Sequence, residues 1–278
     1  MKIKISMDSA CDLTPELVAR YDIGVVPMTI VCGDTYKDGV DFSPEDLFKW
    51  VEGGGVCTTA AINVVEYTER FDEYFEDHDA VIHVDLSSEI SACFQNACLA
   101  GAGRPVYVID SRSLSSGAGM IAVDAAIMAE AGMDAEEIYE KLLERLKTIE
   151  TSFVIDSLKY LHRGGRCSGV AALGANILKL KPCIEMENGK MDVGRKYRGK
   201  FEVVILQYVK DKLAGRDDID YKRIFMTHAN GVPDEVLASV RAAILECGPF
   251  EEIHAPIAGC TISNHCGPVT LGILYYRL

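Results

Sequence analysis

Apolar positions along the first half of the chain fall into two alternating rhythms. Short β-branched runs at 3–7, 25–31, 81–86 and 106–110 are bounded by polar turns, and the stretches between them repeat their apolar residues at helical spacing. This alternation predicts βαβ units and a mostly parallel sheet flanked by helices. The helix starts are signposted. Thr14-Pro15 and Ser43-Pro44 each place a hydroxyl N-cap before a proline at the first helical position, and Asp46 follows Ser43 by three residues. Asn63 with Glu66 is a capping-box variant opening a helix whose Tyr67, Phe71, Tyr74 and Phe75 share one face. These aromatics are expected in the core.

Residues 117–131 are small and apolar enough for a buried helix, and Asp134 with Glu137 opens an amphipathic one carrying Ile138, Leu142, Leu146 and Ile149. A new strand is expected at 153–156, which sets a domain boundary near 150. Further strands are predicted at 203–209, 224–228 and 272–276, with helices between them. The fold class is therefore α/β with two domains: residues 1–150 form an N-terminal α/β domain and residues 151–278 a C-terminal α/β domain. No internal repeat or low-complexity tract is present.

With 278 residues, 49% hydrophobic and 25% charged, the chain is long enough for two packed cores and is neither disordered nor fibrous. It has no apolar run of roughly 18 residues, so no membrane insertion is expected. Its first residues lack the apolar stretch of a secretory signal, which points to the cytoplasm. Ten cysteines without any C-x-x-C pair are expected to be reduced, mostly buried thiols. Cys260, His265 and Cys266 are too few for a zinc site, and neither a metal nor a cofactor is expected. A net charge of −14 argues against nucleic acid as a partner. Its distribution is more informative. Residues 159–200 hold ten Lys or Arg against Glu185, Glu187 and Asp192, a local balance of +7 that leaves −21 elsewhere. A basic segment in an acidic protein suits an anionic ligand or partner, although a solvated face has the same composition.

Three hydroxyl-rich turns stand where predicted strands end: Asp8-Ser9, Thr58-Thr59, and the run from Ser87 through Ser88 to Ser91, which is expected to open a helix. Ligands of open α/β sheets bind beyond the carboxyl ends of strands, where hydroxyls and free amides accept a carboxylate or phosphate. Each turn alone also reads as an ordinary cap. The competing use is a serine-dependent hydrolase or transferase pairing Ser91 or Ser9 with His265, but the G-x-S-x-G elbow is missing. Dinucleotide and P-loop glycine patterns are incomplete, and Gly53-Gly54-Gly55 reads as a helix exit. Residues 170–178, rich in Ala, Gly and Leu, suit either an apolar tunnel wall or a buried helix.

The run Tyr160-Leu161-His162-Arg163-Gly164-Gly165-Arg166, the downstream Leu178-Lys179-Leu180-Lys181-Pro182, the Asn188-Gly189-Lys190 triplet and Arg195 to Arg198 resemble the DegV family. So do the opening SMDSACDL, the segments VVPM, LSSEISACFQNA and VYVIDS, and the closing NHCGPVTLG, in order along nearly the whole chain. The resemblance implies a bacterial fatty-acid-binding protein with no catalytic residues. Two α/β domains would enclose one long-chain fatty acid, with the carboxylate at the domain interface and the acyl chain in an apolar tunnel. It further implies presentation of that lipid to a fatty acid kinase for acyl phosphate formation. A sensor module would share the same pocket chemistry. The family's Thr-Ser-Gln-Pro-Ser turn is matched to residues 58–62, so the resemblance makes Thr58 the carboxylate-binding threonine, with Thr59 beside it. Ser91 and His265 match the family's head-group serine and histidine, and Arg166 and Arg198 its positions for ligand approach and kinase docking. The turn departs from the family in reading Thr-Thr-Ala-Ala-Ile, and Ala92 stands where the family has glycine.

Overall fold

The structure, a computed structural model, describes residues 1–171 and 180–278. The segment 170–178 expected to line a tunnel therefore lies outside the described residues beyond its first two positions. The strands in chain order are β1 (Ile3–Asp8), β2 (Gly24–Val26), β3 (Thr29–Cys32), β4 (Asp34–Lys37), β5 (Thr58–Ala60), β6 (Ala80–Asp85), β7 (Val106–Asp110), β8 (Ile149–Ile155), β9 (Leu180–Glu187), β10 (Lys190–Arg198), β11 (Ile219–His228), β12 (Glu252–His254) and β13 (Thr270–Arg277). They make three sheets. A parallel sheet runs β2-β1-β6-β7, a small antiparallel one runs β4-β3-β5, and a six-stranded sheet runs β10-β9-β8-β13-β11-β12. The last is antiparallel apart from its β11–β12 edge.

Every residue of β6 is buried, which is why its sequence reads as a nearly continuous apolar run rather than an alternation. The helix Ser116–Glu130 packs on β1 and β6 on one side and on β8, β11 and β13 on the other. It is accordingly apolar around its whole circumference. An apolar cluster also crosses between the halves, joining Tyr67, Phe71 and Leu86 to Phe153, Leu161 and Ile262. The caps form where expected: Thr14, Ser43 and Asn63 each accept the amide of the third residue on, and Asp134 caps the helix Ala135–Arg145.

Three expectations need correction, and one hairpin is added. The run 25–31 is broken by Pro27, which supplies no ladder donor, so β2 and β3 belong to different sheets. Residues 203–209 lie in a helix, Phe201–Leu213, not a strand. Phe201, Val204, Ile205, Tyr208 and Val209 are buried at i, i+3, i+4, i+7 and i+8, and this 3.6-residue period overrides the β-branched composition. Residues 180–198 form a hairpin whose turn, Asn188 (φ 51°) and Gly189 (φ 82°), is of the left-handed kind that joins twisted strands most tightly. Finally, not all cysteines are reduced. Cys32 and Cys57 form a disulfide with Cα atoms 4.4 Å apart, tying β3 to the residue before β5.

Candidate functional site

The first wall of the site is the small sheet. In its antiparallel ladder Ile30 pairs with Thr59 and Val31 with Thr58. Directly opposed residues share a face, and Ile30 is fully buried while Val31 is exposed. Thr59 therefore points inward and Thr58 lies on the outer, exposed face. The disulfide one position beyond Thr58 fastens this short strand to β3.

The second wall is the loop Leu86–Ser91 at the carboxyl end of β6. Leu86 N–H donates to the buried Asp8 Oδ2 (2.7 Å), Ser87 N–H to Ser113 O (2.8 Å), and Ser87 Oγ–H to Gly189 O (2.7 Å). Burial, reinforced by the neighbouring Asp85, pushes the Asp8 carboxyl up to about 7. Ser91 is half-buried and precedes the helix Cys93–Gly101 rather than occupying its first turn. Its Oγ accepts from Cys93 N–H at 3.2 Å, leaving its own proton to donate.

The third wall is the helix Cys260–Cys266, which carries His265. His265 Nε2 lies 2.9 Å from Thr59 Oγ1, across 206 residues of sequence. Its Nδ1 is buried, has no hydrogen-bond partner among the described residues, and faces Gly164. A Cβ at Gly164 would sit 2.2 Å from that nitrogen, which accounts for the first glycine of Arg163-Gly164-Gly165-Arg166. The second, Gly165, caps the helix Leu158–Gly164 at φ 67°, a left-handed conformation that favours glycine. Burial, then the charges of Arg166 and Arg163, lower the His265 imidazolium to about 4. Of these causes only the two guanidinium charges favour an anion in the same place, since burial disfavours a charge of either sign.

These walls enclose a cavity of about 190 Å³ lined by Thr59, Ser91, Arg166, Thr261 and His265 together with apolar Met28, Leu86 and Met191. A second, narrower cavity of about 20 Å³ shares Leu114, Ile262 and Cys266 with it and continues between Phe153, Ala258 and Leu274. The hydroxyls around this inner cavity are already engaged: Ser152 with Tyr208, Thr270 with Cys266 O, and Ser115 with Asp12. Thr227 is engaged with Ser116 and His228 Nδ1 with Ala229 O, so what remains facing it is mostly carbon.

Thr59, Ser91, His265 and Arg166 thus converge, whereas Thr58 and Arg198 do not. Thr58 stands apart because side chains alternate along a strand, and of the two threonines it is Thr59 that faces the cavity. Arg198 is exposed at the far end of β10, seven residues from the cavity-lining Met191 and roughly 20 Å away along the strand. Ser9 is also elsewhere, donating to Asp38 Oδ2 (3.3 Å) and accepting from Met28 N–H (3.0 Å). Among the described residues no hydrolytic triad is assembled: His265 contacts a threonine rather than a serine, and no described acid orients its Nδ1. Thr261, which motif reasoning passed over, stands on the cavity wall; its only signal was a hydroxyl four residues before His265, one turn along the same helix face.

Comparison with known proteins bears on what such a site holds. The sequence pattern of the DegV family matches residues 2–278. A DegV domain-containing protein of Caldanaerobacter subterraneus is 34% identical over 99% of this chain and 98% of its own length. A protein of Thermotoga maritima named a fatty acid-binding protein is 31% identical over 98% of this chain and 96% of its own. Among solved structures, a fatty-acid-binding DegV family protein of Thermus thermophilus superposes with a TM-score of 0.88 at 28% identity, both chains covered fully. One from Thermotoga maritima, described as revealing fatty acid binding function, gives 0.86 at 28% identity, again over both chains in full. No helix among the described residues is long and apolar enough to cross a membrane. By sequence across its whole length and by fold, the chain belongs to the DegV family.

Proposed function

We propose that this chain binds one long-chain fatty acid, without catalysis, at the junction of its domains, 1–150 and 151–278. The observation that carries the reading is the step in polarity between two cavities with a common wall. The outer presents Thr59, Ser91, His265 and Arg166, and the inner presents mostly carbon. A carboxylate in the outer cavity receives hydroxyl donors and a nearby guanidinium, which offset its desolvation. Methylenes continuing past Leu114 and Ile262 contribute about 0.8 kcal/mol each. The relatives and solved structures described as fatty-acid-binding support the same reading. Palmitate titration tests it. Thr59→Ala with Ser91→Ala weakens binding about 10- to 100-fold, while Thr58→Ala stays within twofold of the parent; the reverse ranking would reject this head-group site.

The finer reading is that the protein presents its lipid, in the cytoplasm, to a fatty acid kinase that docks on the basic segment 159–200. Arg198 supports it as an exposed cation on that segment, away from the cavity. Arg198→Glu is then expected to slow acyl phosphate formation by a fatty acid kinase at least fivefold with lipid content unchanged. An unchanged rate would remove docking through Arg198.

A further inference from the structure

Thr261 is 3% exposed, lines the outer cavity, and its Oγ1 has no hydrogen-bond partner among the described residues. Buried hydroxyls are ordinarily satisfied, and the neighbouring ones here are. The backbone that carries Thr261 is pinned from the other half of the chain. Thr261 N–H donates to Asp38 Oδ2 (2.9 Å), Cys260 N–H to Asp38 Oδ1 (2.8 Å), and Gly259 N–H to Asp12 Oδ1 (2.7 Å). The helix Cys260–Cys266 has no side-chain cap of its own, so these two aspartates hold it. They also occupy the amides an anion would otherwise use. The hydroxyl is the side-chain donor that Thr261 has left to offer a ligand.

We propose that Thr261 is a further head-group residue, whose Oγ–H donates to the ligand carboxylate beside Thr59 and Ser91, and that Asp38 is the positioning residue that aims it. The proposal rests on the fatty-acid reading above and sharpens it. A β-branched residue without the hydroxyl would fill the same space, so the hydroxyl is retained at a cost in stability and serves recognition.

The test is Thr261→Val, titrated with palmitate and with 1-hexadecanol, alongside thermal unfolding of lipid-stripped protein. Hydrogen bonds to a charged acceptor are the stronger ones. Palmitate affinity is therefore expected to fall about tenfold and hexadecanol affinity less than threefold. The stripped variant is expected to melt about 2 °C higher than the parent, because an unsatisfied hydroxyl has been removed. Thr261→Ser restores palmitate binding, and Asp38→Asn, which keeps one acceptor, shows the same palmitate-selective loss as Thr261→Val in smaller measure. Unchanged palmitate affinity in Thr261→Val, or equal losses for both lipids, would overturn the assignment. A parent protein that binds neither lipid would instead overturn the fatty-acid reading, and this proposal with it.

Discussion

The two cavities that share Leu114, Ile262 and Cys266 differ in what their walls have left unspent. Around the inner one, Ser115, Ser152 and Thr270 are each hydrogen-bonded within the protein, so the surface offered is mostly apolar. Around the outer one, Ser91 retains a proton and Thr261 retains its whole hydroxyl. Residue type alone does not separate the two, since both are lined by serine and threonine. Polarity here is set by which hydroxyls the fold has already satisfied. The walls also differ in how they are held. The inner cavity lies within packed sheet and helix, whereas the outer depends on tethers between distant segments: a disulfide, the Asp12 and Asp38 carboxylates, and the Thr59–His265 contact.

The tethers give the largest expected effect. Replacing Cys32 and Cys57 together by alanine opens a loop of 25-residue separation and is expected to lower unfolding stability by about 3.5 kcal/mol in denaturant titration. Palmitate affinity falls more than hexadecanol affinity, since the tie supports the wall that carries Thr59. Thiol counting on protein purified without reductant checks the premise, and ten reactive thiols after unfolding would refute it. Next comes the inner wall. Ala258→Phe, at a buried position of that cavity, fills it and closes the way to the chain, and is expected to lower palmitate affinity about tenfold or more. Octanoate is expected to change less than threefold. Equal losses for both acids would mean that the inner cavity does not take the chain.

The third effect comes from the outer cavity's field. Burial and the two arginines hold His265 neutral in the folded protein down to about pH 4, while in the unfolded chain it takes up a proton near 6.5. Its contribution to stability is therefore full above pH 6.5 and is lost as pH falls toward 4, by roughly 2–3 kcal/mol. Asp8 and Asp12, raised to about 7 and about 8 by burial, act in the opposite sense: their folded-state protonation favours folding at low pH, and that gain is lost as pH rises toward 8. His265→Gln should accordingly flatten the acid side of the stability profile and leave the side above pH 6.5 unchanged in shape. A variant profile parallel to the parent's throughout would show that the imidazole is not held neutral.

Much of the architecture is legible in the chain because local and tertiary preferences agree. The caps at Thr14, Ser43, Asn63 and Asp134 form as read, and the buried runs at β1, β6 and β7 are parallel strands. Phe201–Leu213 misleads because β-branched residues suggest a strand while their spacing is helical. The β9–β10 hairpin was announced by Asn188-Gly189, whose importance shows only when both flanking runs are read as strands. Of the site, the hydroxyl turn before β5 was visible, but not which threonine faces inward, since that depends on pairing with Ile30. The Cys32–Cys57 bond and the Asp38 contacts to the His265 helix join residues 25 and more than 200 positions apart and leave no local pattern. Thr261 was hidden for another reason: its significance lies in a hydrogen bond it does not make.

The central claim is that this chain carries one amphiphile with its carboxylate in the outer cavity and its chain in the inner. Extraction and mass spectrometry of the purified protein, with the Thr59→Ala, Ser91→Ala double variant purified in parallel, tests it most directly. The account predicts close to one long-chain fatty acid per parent chain and a several-fold depletion in the variant. Parent protein that yields no fatty acid and takes up none when palmitate is added would contradict it.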